Sequence, residues 1–433
     1  MDRKIQTSLI TKTLAVAITA AMASTVQAAS TEQQQIQELR QEVQALKALI
    51  QQQQQVQQQQ QVQIQQVQAQ PAPAAKSASP FSLKSKGGAE VNLYGFVRGD
   101  ANYIVEGADN DFNSVHTSTG AAKDKLRATP KTTRLGLDFS SPVGDRKVGG
   151  KVEVDFAGSN DALRIRHAYL TLDNWLLGQT TSNFLSNHAP EMIDFGTNVG
   201  GGTTRIPQVR YSHKLAPATQ LLVSAEEGNS SAQALKLNDD DELATAGSDV
   251  TYRLPVLTAK LTQGFAEGKG AASARALVEH YKAESGDDKT GWGVAAGAHY
   301  QVAEPLKVSA DVSYVQGNSN YLYGSNSAFY VNPENGDIEQ NEFTAFQVGA
   351  TYKFAPNLRS TLGYGAIFAD DGTDYAALNR SANEEVYQAW LNFIYSPVKP
   401  VDLGIEYING ERETFAGNKF KDNRFGLMAR YNF

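Results

Sequence analysis

The feature that most restricts this chain is a two-residue period that governs it from Val91 to the C-terminus and is plainest in the last ten residues. Phe425, Leu427, Ala429, Tyr431 and Phe433 fall on one side, and Arg424, Gly426, Met428, Arg430 and Asn432 on the other. Successive side chains of a strand point to opposite faces, so one face is apolar and the other carries two arginines. Val91, Leu93, Val97, Ala101, Tyr103 and Val105 alternate in the same way with Asn92, Tyr94, Phe96, Arg98 and Asp100. The pattern recurs at 132–139, 148–156, 163–172, 175–179, 205–213, 219–227, 249–254, 258–265, 292–302, 306–315, 343–354, 358–368, 386–395, 401–408 and 424–433. The connections between these segments are alternately short and long, and the long ones are rich in Gly, Asn, Asp and Ser.

Nothing in the 433 residues supplies the run of about 20 apolar residues that a membrane helix needs. A chain of this kind can cross a membrane only as a closed barrel, in which every backbone polar group is satisfied between strands. Short turns at one end, long loops at the other and an even strand count describe an outer-membrane barrel. The expected fold is therefore all-β, a 16-stranded antiparallel transmembrane barrel over residues 91–433, with 275–283 placed in the fifth long loop to keep the count even. A soluble sandwich would show the same alternation, but it is typically built from about seven strands.

Three segments precede the barrel. Residues 1–28 read as a signal peptide: Arg3, Lys4 and Lys12 open it, an apolar run follows, and Val26-Gln27-Ala28 offers a small residue for cleavage. Residues 31–68 place Ile36, Leu39, Val43, Leu46, Ile50, Ile64 and Val67 at heptad spacing. Gln53, Gln57 and Gln60 hold the intervening seam positions, so this Gln-rich stretch reads as a coiled-coil helix or, alternatively, a disordered polyglutamine tail. Residues 69–90 are a Pro- and Gly-containing linker. A coiled coil implies an oligomer, and Ile or Val at a with Leu at d favours a dimer.

If the apolar face meets lipid, the other lines water. Arg98, Arg134, Arg210, Arg253, Lys260, Arg359, Arg424 and Arg430 then turn inward, in a chain whose net charge is −7. Arg164 and Arg166 share a face with Leu170 and Leu172; they are assigned inward because a charge facing lipid at mid-membrane costs about 2–4 kcal/mol. Rings of arginine are a device for anion pores, and the guanidinium fork matches a carboxylate in two bonds. The inward set also holds Glu153, Asp155, Asp311 and Glu406, so these arginines either grip solute anions or pair with luminal acids. The loop at 180–204 is too apolar for a purely solvated one, with Phe184, Leu185, Met192, Ile193 and Phe195, and it carries His188, Glu191 and Asp194 before Gly200-Gly201-Gly202. It folds into the pore or packs outside at a subunit contact.

Cysteine is absent, which excludes disulfides and thiolate metal sites. His116, His167, His188, His213, His280 and His299 form no metal-spaced or Ser/His/Asp group, so no enzyme activity, metal or cofactor is expected, and no nucleic-acid partner. The acidic run Asp239-Asp240-Asp241-Glu242 is a solvated loop or a divalent-cation site near lipopolysaccharide.

The signal peptide, the heptad segment, the opening Val91-Asn92-Leu93-Tyr94-Gly95-Phe96-Val97-Arg98-Gly99-Asp100, then Arg166-His167-Ala168-Tyr169-Leu170 and Gly178-Gln179-Thr180, together resemble the DcaP-type trimeric porins of Gram-negative bacteria. The resemblance implies a homotrimer rather than the dimer suggested by the heptads, a coiled coil in the periplasm, and passage of small dicarboxylic acids. It also implies that the third long loop narrows the pore. A competing function is a structural one, tethering the outer membrane to peptidoglycan through the coiled coil.

Overall fold

The computed structural model describes residues 82–85, 87–228, 232–237, 243–246 and 250–433. The expected signal peptide, the coiled coil, most of the linker and the acidic run at 239–242 lie outside the described residues. No helix among the described residues is long and apolar enough to cross a membrane.

One antiparallel sheet of twenty strands closes on itself. Sixteen strands make the wall. They are β1 (Glu90–Gly107), β2 (Arg134–Val143), β3 (Arg146–Asp155), β4 (Arg164–Leu172), β5 (Trp175–Thr181), β6 (Arg205–Ala216), β7 (Thr219–Glu226) and β8 (Val256–Phe265). Then follow β9 (Gly270–Ala283), β10 (Asp288–Ala303), β11 (Leu306–Gln316), β12 (Glu342–Ala355), β13 (Leu358–Ala369), β14 (Asn383–Val398), β15 (Val401–Thr414) and β16 (Asn423–Asn432). The seam joins β1 to β16, with Arg98 opposite Arg430 and Ala101 opposite Leu427. Phe433 completes it by exchanging backbone hydrogen bonds with Gly95 at 3.0 and 3.2 Å. The end of the expected linker carries a short strand, Ser82–Lys84, paired with the start of β1.

The strand count agrees with the expectation, but two segments exchange roles. Residues 249–254 are not a wall strand: Val250–Thr251 merely pairs with the end of β9. Residues 270–283 form a full strand between β8 and β10 and do not belong to a loop. The polarity of β9 misleads because its outer face shows Ala274, Ala276 and Val278, while Leu277 and Tyr281 face inward and are buried. The turn expected at 255–257 accordingly sits at 266–269, and the fifth loop shrinks to 284–287.

The outer wall is apolar, as the alternation requires. Val97 is 56% exposed, Leu362 60% and Leu427 52%, while Arg98, Thr361 and Met428 beside them are buried. The interior holds the polar face together with apolar clusters built where loops enter, such as Phe184, Leu185, Val199, Tyr321 and Val315. Residues of the loops after β7 and β11 form a separate four-stranded sheet, in which Ala232–Leu237 runs parallel to Phe329–Val331.

Candidate functional site

Loop 182–204, termed L3, leaves β5 and runs along the inner wall. Its first residues hang from β7: the Asn183 amide donates to Glu226 (3.1 Å) and its side chain to Ser224 (2.7 Å). Further down, Ser186 donates to Asp311 at 2.6 Å, and Asn187 accepts from Lys260 at 3.1 Å. His188 sits between His299 (2.9 Å) and Ser273 (3.0 Å). Near the short-turn end Glu191 meets Arg359 in two bonds of 2.8 Å. The loop then climbs. The amides of Ile193 and Asp194 donate to Glu406 at 2.9 and 2.8 Å, and the Ile193 carbonyl accepts from Arg98. Higher still, Val199 is bound by Gln388 and Gln347.

Such a close course needs glycine. Gly200 has φ +79°, and a Cβ there would lie 2.2 Å from the Phe346 carbonyl oxygen. A Cβ on Gly202 would lie 1.8 Å from that of Tyr321. Of the three polar residues that single out this loop, His188 and Asp194 are buried against the wall, whereas Glu191 reaches water. Burial raises the Asp194 carboxyl to about 6, opposed by Arg424 and by the amides of Asn113 and Gly196. Burial, reinforced by His299 and Arg275, lowers His188 to about 3.

L3 touches β1 and β7 to β16 but leaves the wall from β2 to β6 largely bare. That wall carries a basic cluster. Arg134 lies 3.3 Å from Glu153 and 5.0 Å above the Phe96 ring. Arg166 bridges Glu153 (2.8 Å) and Asp155 (2.7 Å), and Arg164 also holds Asp155. Arg205, which the alternation does not pick out, stands within electrostatic reach of Arg134, Arg164, Arg166 and Glu153. Arg210 donates to Gln208 and to the Thr181 carbonyl. Among the described residues neither Arg205 nor Arg210 has a carboxylate within 4.0 Å.

A β-bulge reconciles Arg166 with Leu170 and Leu172. Glu153 pairs with His167 but Val154 pairs with Ile165, so Arg166 is the extra residue. A bulge puts two residues opposite one and resets which side the strand shows. Leu170 and Ile165 thus both face out, 55% exposed each, while Arg166 is buried inside. Arg205 is missed for a related reason. The period assigns it to the outer side with Pro207 and Val209, and only its place at the head of the strand, paired with Thr181, lets its side chain reach the cluster.

The other basic residues differ in how far they are open to the lumen. Arg98 is buried, locked to Asp100 and stacked 4.5 Å from the Phe195 ring of L3. Arg424 is fully buried, holding Asp422 and the carbonyls of Ala108 and Asn110; it fastens loops and does not line the pore. Lys260 is buried opposite Arg275, which the alternation leaves in a loop and which pairs with Asp311 at 2.6 Å. Arg430 binds Asp402 and remains partly open. Arg253 lies outside the wall strands and is exposed, which corrects its assignment to the pore; it followed from the misplaced strand at 249–254. Lys307 and Lys353, also unforeseen, flank Arg359 at the short-turn end. Among the described residues there is no group of His, Cys, Asp and Glu suited to a metal.

The family model described as DcaP outer membrane protein matches residues 15–433. The chain belongs to the DcaP outer membrane protein family. It is similar to the outer membrane channel DcaP of Acinetobacter baumannii, with 66% identity over 81% of this chain and 99% of that one, at a TM-score of 0.76. OmpT of Vibrio cholerae, 15% identical, covers 81% of this chain and 99% of its own at a TM-score of 0.52. An anion-selective porin from Comamonas acidovorans, 13% identical, covers 80% and 100% at 0.53. These last two share the fold alone. A comparison with curated protein sequences gives no match. As a DcaP family member the chain is an outer-membrane channel protein and not an enzyme.

Proposed function

We propose that this barrel passes small organic anions, dicarboxylates in particular, by passive diffusion between L3 and the basic wall. One observation carries the reading. Arg134, Lys151, Arg164, Arg166, Arg205 and Arg210 stand on the side L3 leaves open and face Asp138, Glu153 and Asp155. A narrow low-dielectric passage with that excess of positive charge focuses potential and concentrates anions. L3 is the constriction: anchored along most of the opposite wall, it displaces water from the lumen and presses the path toward the arginines. Two guanidinium groups a few ångströms apart suit a solute with two carboxylates.

The assembly is a homotrimer in outer-membrane lipid beside lipopolysaccharide. The outer surface supports a subunit contact on one sector. Strands β8 to β16 carry aromatic residues at both ends, including Phe265, Tyr300, Phe354, Tyr395 and Tyr431 at one and Trp292, Tyr407 and Phe425 at the other. Such girdles mark the two membrane interfaces. Strands β2 to β7 show Leu135, Leu137, Val152, Ile165, Leu170 and Leu177 instead, with Trp175 their one strongly exposed aromatic. A wall whose loop end shows no exposed aromatic among the described residues, and whose short-turn end has only Trp175 with Tyr211 packed on it, is suited to a neighbouring barrel.

The test is the reversal potential of the purified protein in planar bilayers under a KCl gradient, with succinate added to one side. Anion preference with succinate-induced current blocks is expected, and Arg164→Ala, which removes a half-open guanidinium, reduces both. Cation preference without blocks rejects the reading.

A further inference from the structure

At the short-turn end of the lumen, Arg359 is already occupied. Its Nε and Nη2 donate to Oε2 and Oε1 of Glu191, both at 2.8 Å. This is the fork geometry in which a guanidinium takes a free carboxylate. The pair also differs from its neighbours in access. Arg98–Asp100 is 2% exposed on both sides, Arg275–Asp311 1% and 3%, and in Arg430–Asp402 the acid is 3% exposed. In Arg359–Glu191 both partners meet water, at 24% and 34%.

The acid comes from L3, and the backbone that carries it is held without it. Trp390 Nε1 and Asn392 Nδ2 both donate to the Glu191 carbonyl at 3.0 Å. The carboxylate can therefore leave the fork while the loop stays docked. Around the fork the charge is one-sided. Lys353 lies directly opposite Arg359 on β12, and Lys307 on β11 is within electrostatic reach of Glu191, Lys353 and Arg359. Among the described residues neither lysine has a carboxylate within 4.0 Å. Asp402 acts on Arg359 from β15 but is engaged by Arg430 and Ser396.

We propose that Glu191 is a tethered competitor for the Arg359 fork, which solute carboxylates displace on their way out, so that it sets how long an anion dwells at the periplasmic end of the pore. This rests on the anion-passage reading above. Three cations with no acid among them would make a trap, and conduction requires that a site bind well enough to fill and weakly enough to empty. Exchanging one carboxylate for another at a partly exposed arginine changes little energy, because such pairs contribute little to begin with. Glu191 thereby lowers the affinity of the patch without removing its charge.

The experiment measures succinate block lifetimes in single-channel recordings of the full-length protein, for the native chain, Glu191→Gln, Arg359→Gln and the double variant. Glu191→Gln keeps the side-chain shape but loses the charge, and it should lengthen the blocks by about three- to fivefold. Arg359→Gln should shorten them, and in its background Glu191→Gln should have little further effect, the non-additivity expected of partners in one exchange. Lifetimes within twofold of native in Glu191→Gln overturn the proposal, as does an equal lengthening with and without Arg359. If the native channel prefers anions and is blocked by succinate, those results overturn this inference alone. If it prefers cations and shows no blocks, both readings fall.

Discussion

Glu406 offers the sharpest test of how L3 is held. Its carboxylate is fully buried on β15 and accepts the amides of Ile193 and Asp194, at 2.9 and 2.8 Å, and Asn392 Nδ2 at 3.0 Å. Glu406→Gln preserves size but replaces one oxygen by a donor. One of the two backbone amides then faces an NH2 group and has no acceptor, at about 1–3 kcal/mol for a buried donor left unsatisfied. The remaining bond loses its charge assistance, which roughly halves it. Together these weaken the docking of this stretch by about 2–4 kcal/mol. At about 1.4 kcal/mol per tenfold, local opening rises by roughly 30- to 700-fold. The readout is hydrogen exchange of a peptide spanning 189–197, followed by mass spectrometry in detergent, where exchange reports local opening. Peptides from β10 and β11 serve as the internal reference and should not change. A rise below about threefold at 189–197, with those strands unaltered, would show that Glu406 does not hold the loop and would refute the anchoring of L3 to β15.

Two further outcomes follow from the same geometry. Arg253→Ala should leave the reversal potential under a KCl gradient unchanged, since that residue stands outside the wall, whereas a shift as large as that of Arg164→Ala would return it to the pore. Two groups of L3 itself titrate in opposite directions. His188 is lowered to about 3, so its contribution to docking is complete above its free value of about 6.5 and declines as pH falls, by about 1.4 kcal/mol per unit. Asp194 is raised to about 6, so docking gains by a similar slope from about 6 down to its free value near 4. Between pH 7 and 4 these two contributions nearly cancel. In His188→Asn the Asp194 contribution is no longer opposed by His188, so L3 current noise should fall on acidification; a rise would contradict the sign.

Much of the barrel is written in the chain locally. A strand has no choice about sending alternate side chains to opposite faces, so Phe425, Leu427 and Tyr431 declare a lipid side and Arg430 a wet one without reference to any distant residue. The same is true of Phe433 at the seam and of the short turns such as 173–174 and 356–357. Where β9 breaks the rule, the cause is tertiary. Leu277 and Tyr281 turn inward because L3 and the loop after β11 bring Phe184, Tyr321 and Phe329 to meet them. The period cannot know that the lumen is apolar at that place.

The site depends on tertiary structure more heavily still. A count of inward arginines is local information, but which of them are free to meet a solute depends on partners far away in sequence. Arg424 is spent on Asp422 and the carbonyls of Ala108 and Asn110, and Arg98 on Asp100 and L3. The Arg166 bulge shifts parity by one residue, and Arg205 joins the cluster from the head of its strand. Charge pairing across a closed wall is a property of registers and loop paths, so the chain by itself determined a barrel with a basic interior, while closure of the sheet and the descent of L3 decided which guanidinium groups remain open.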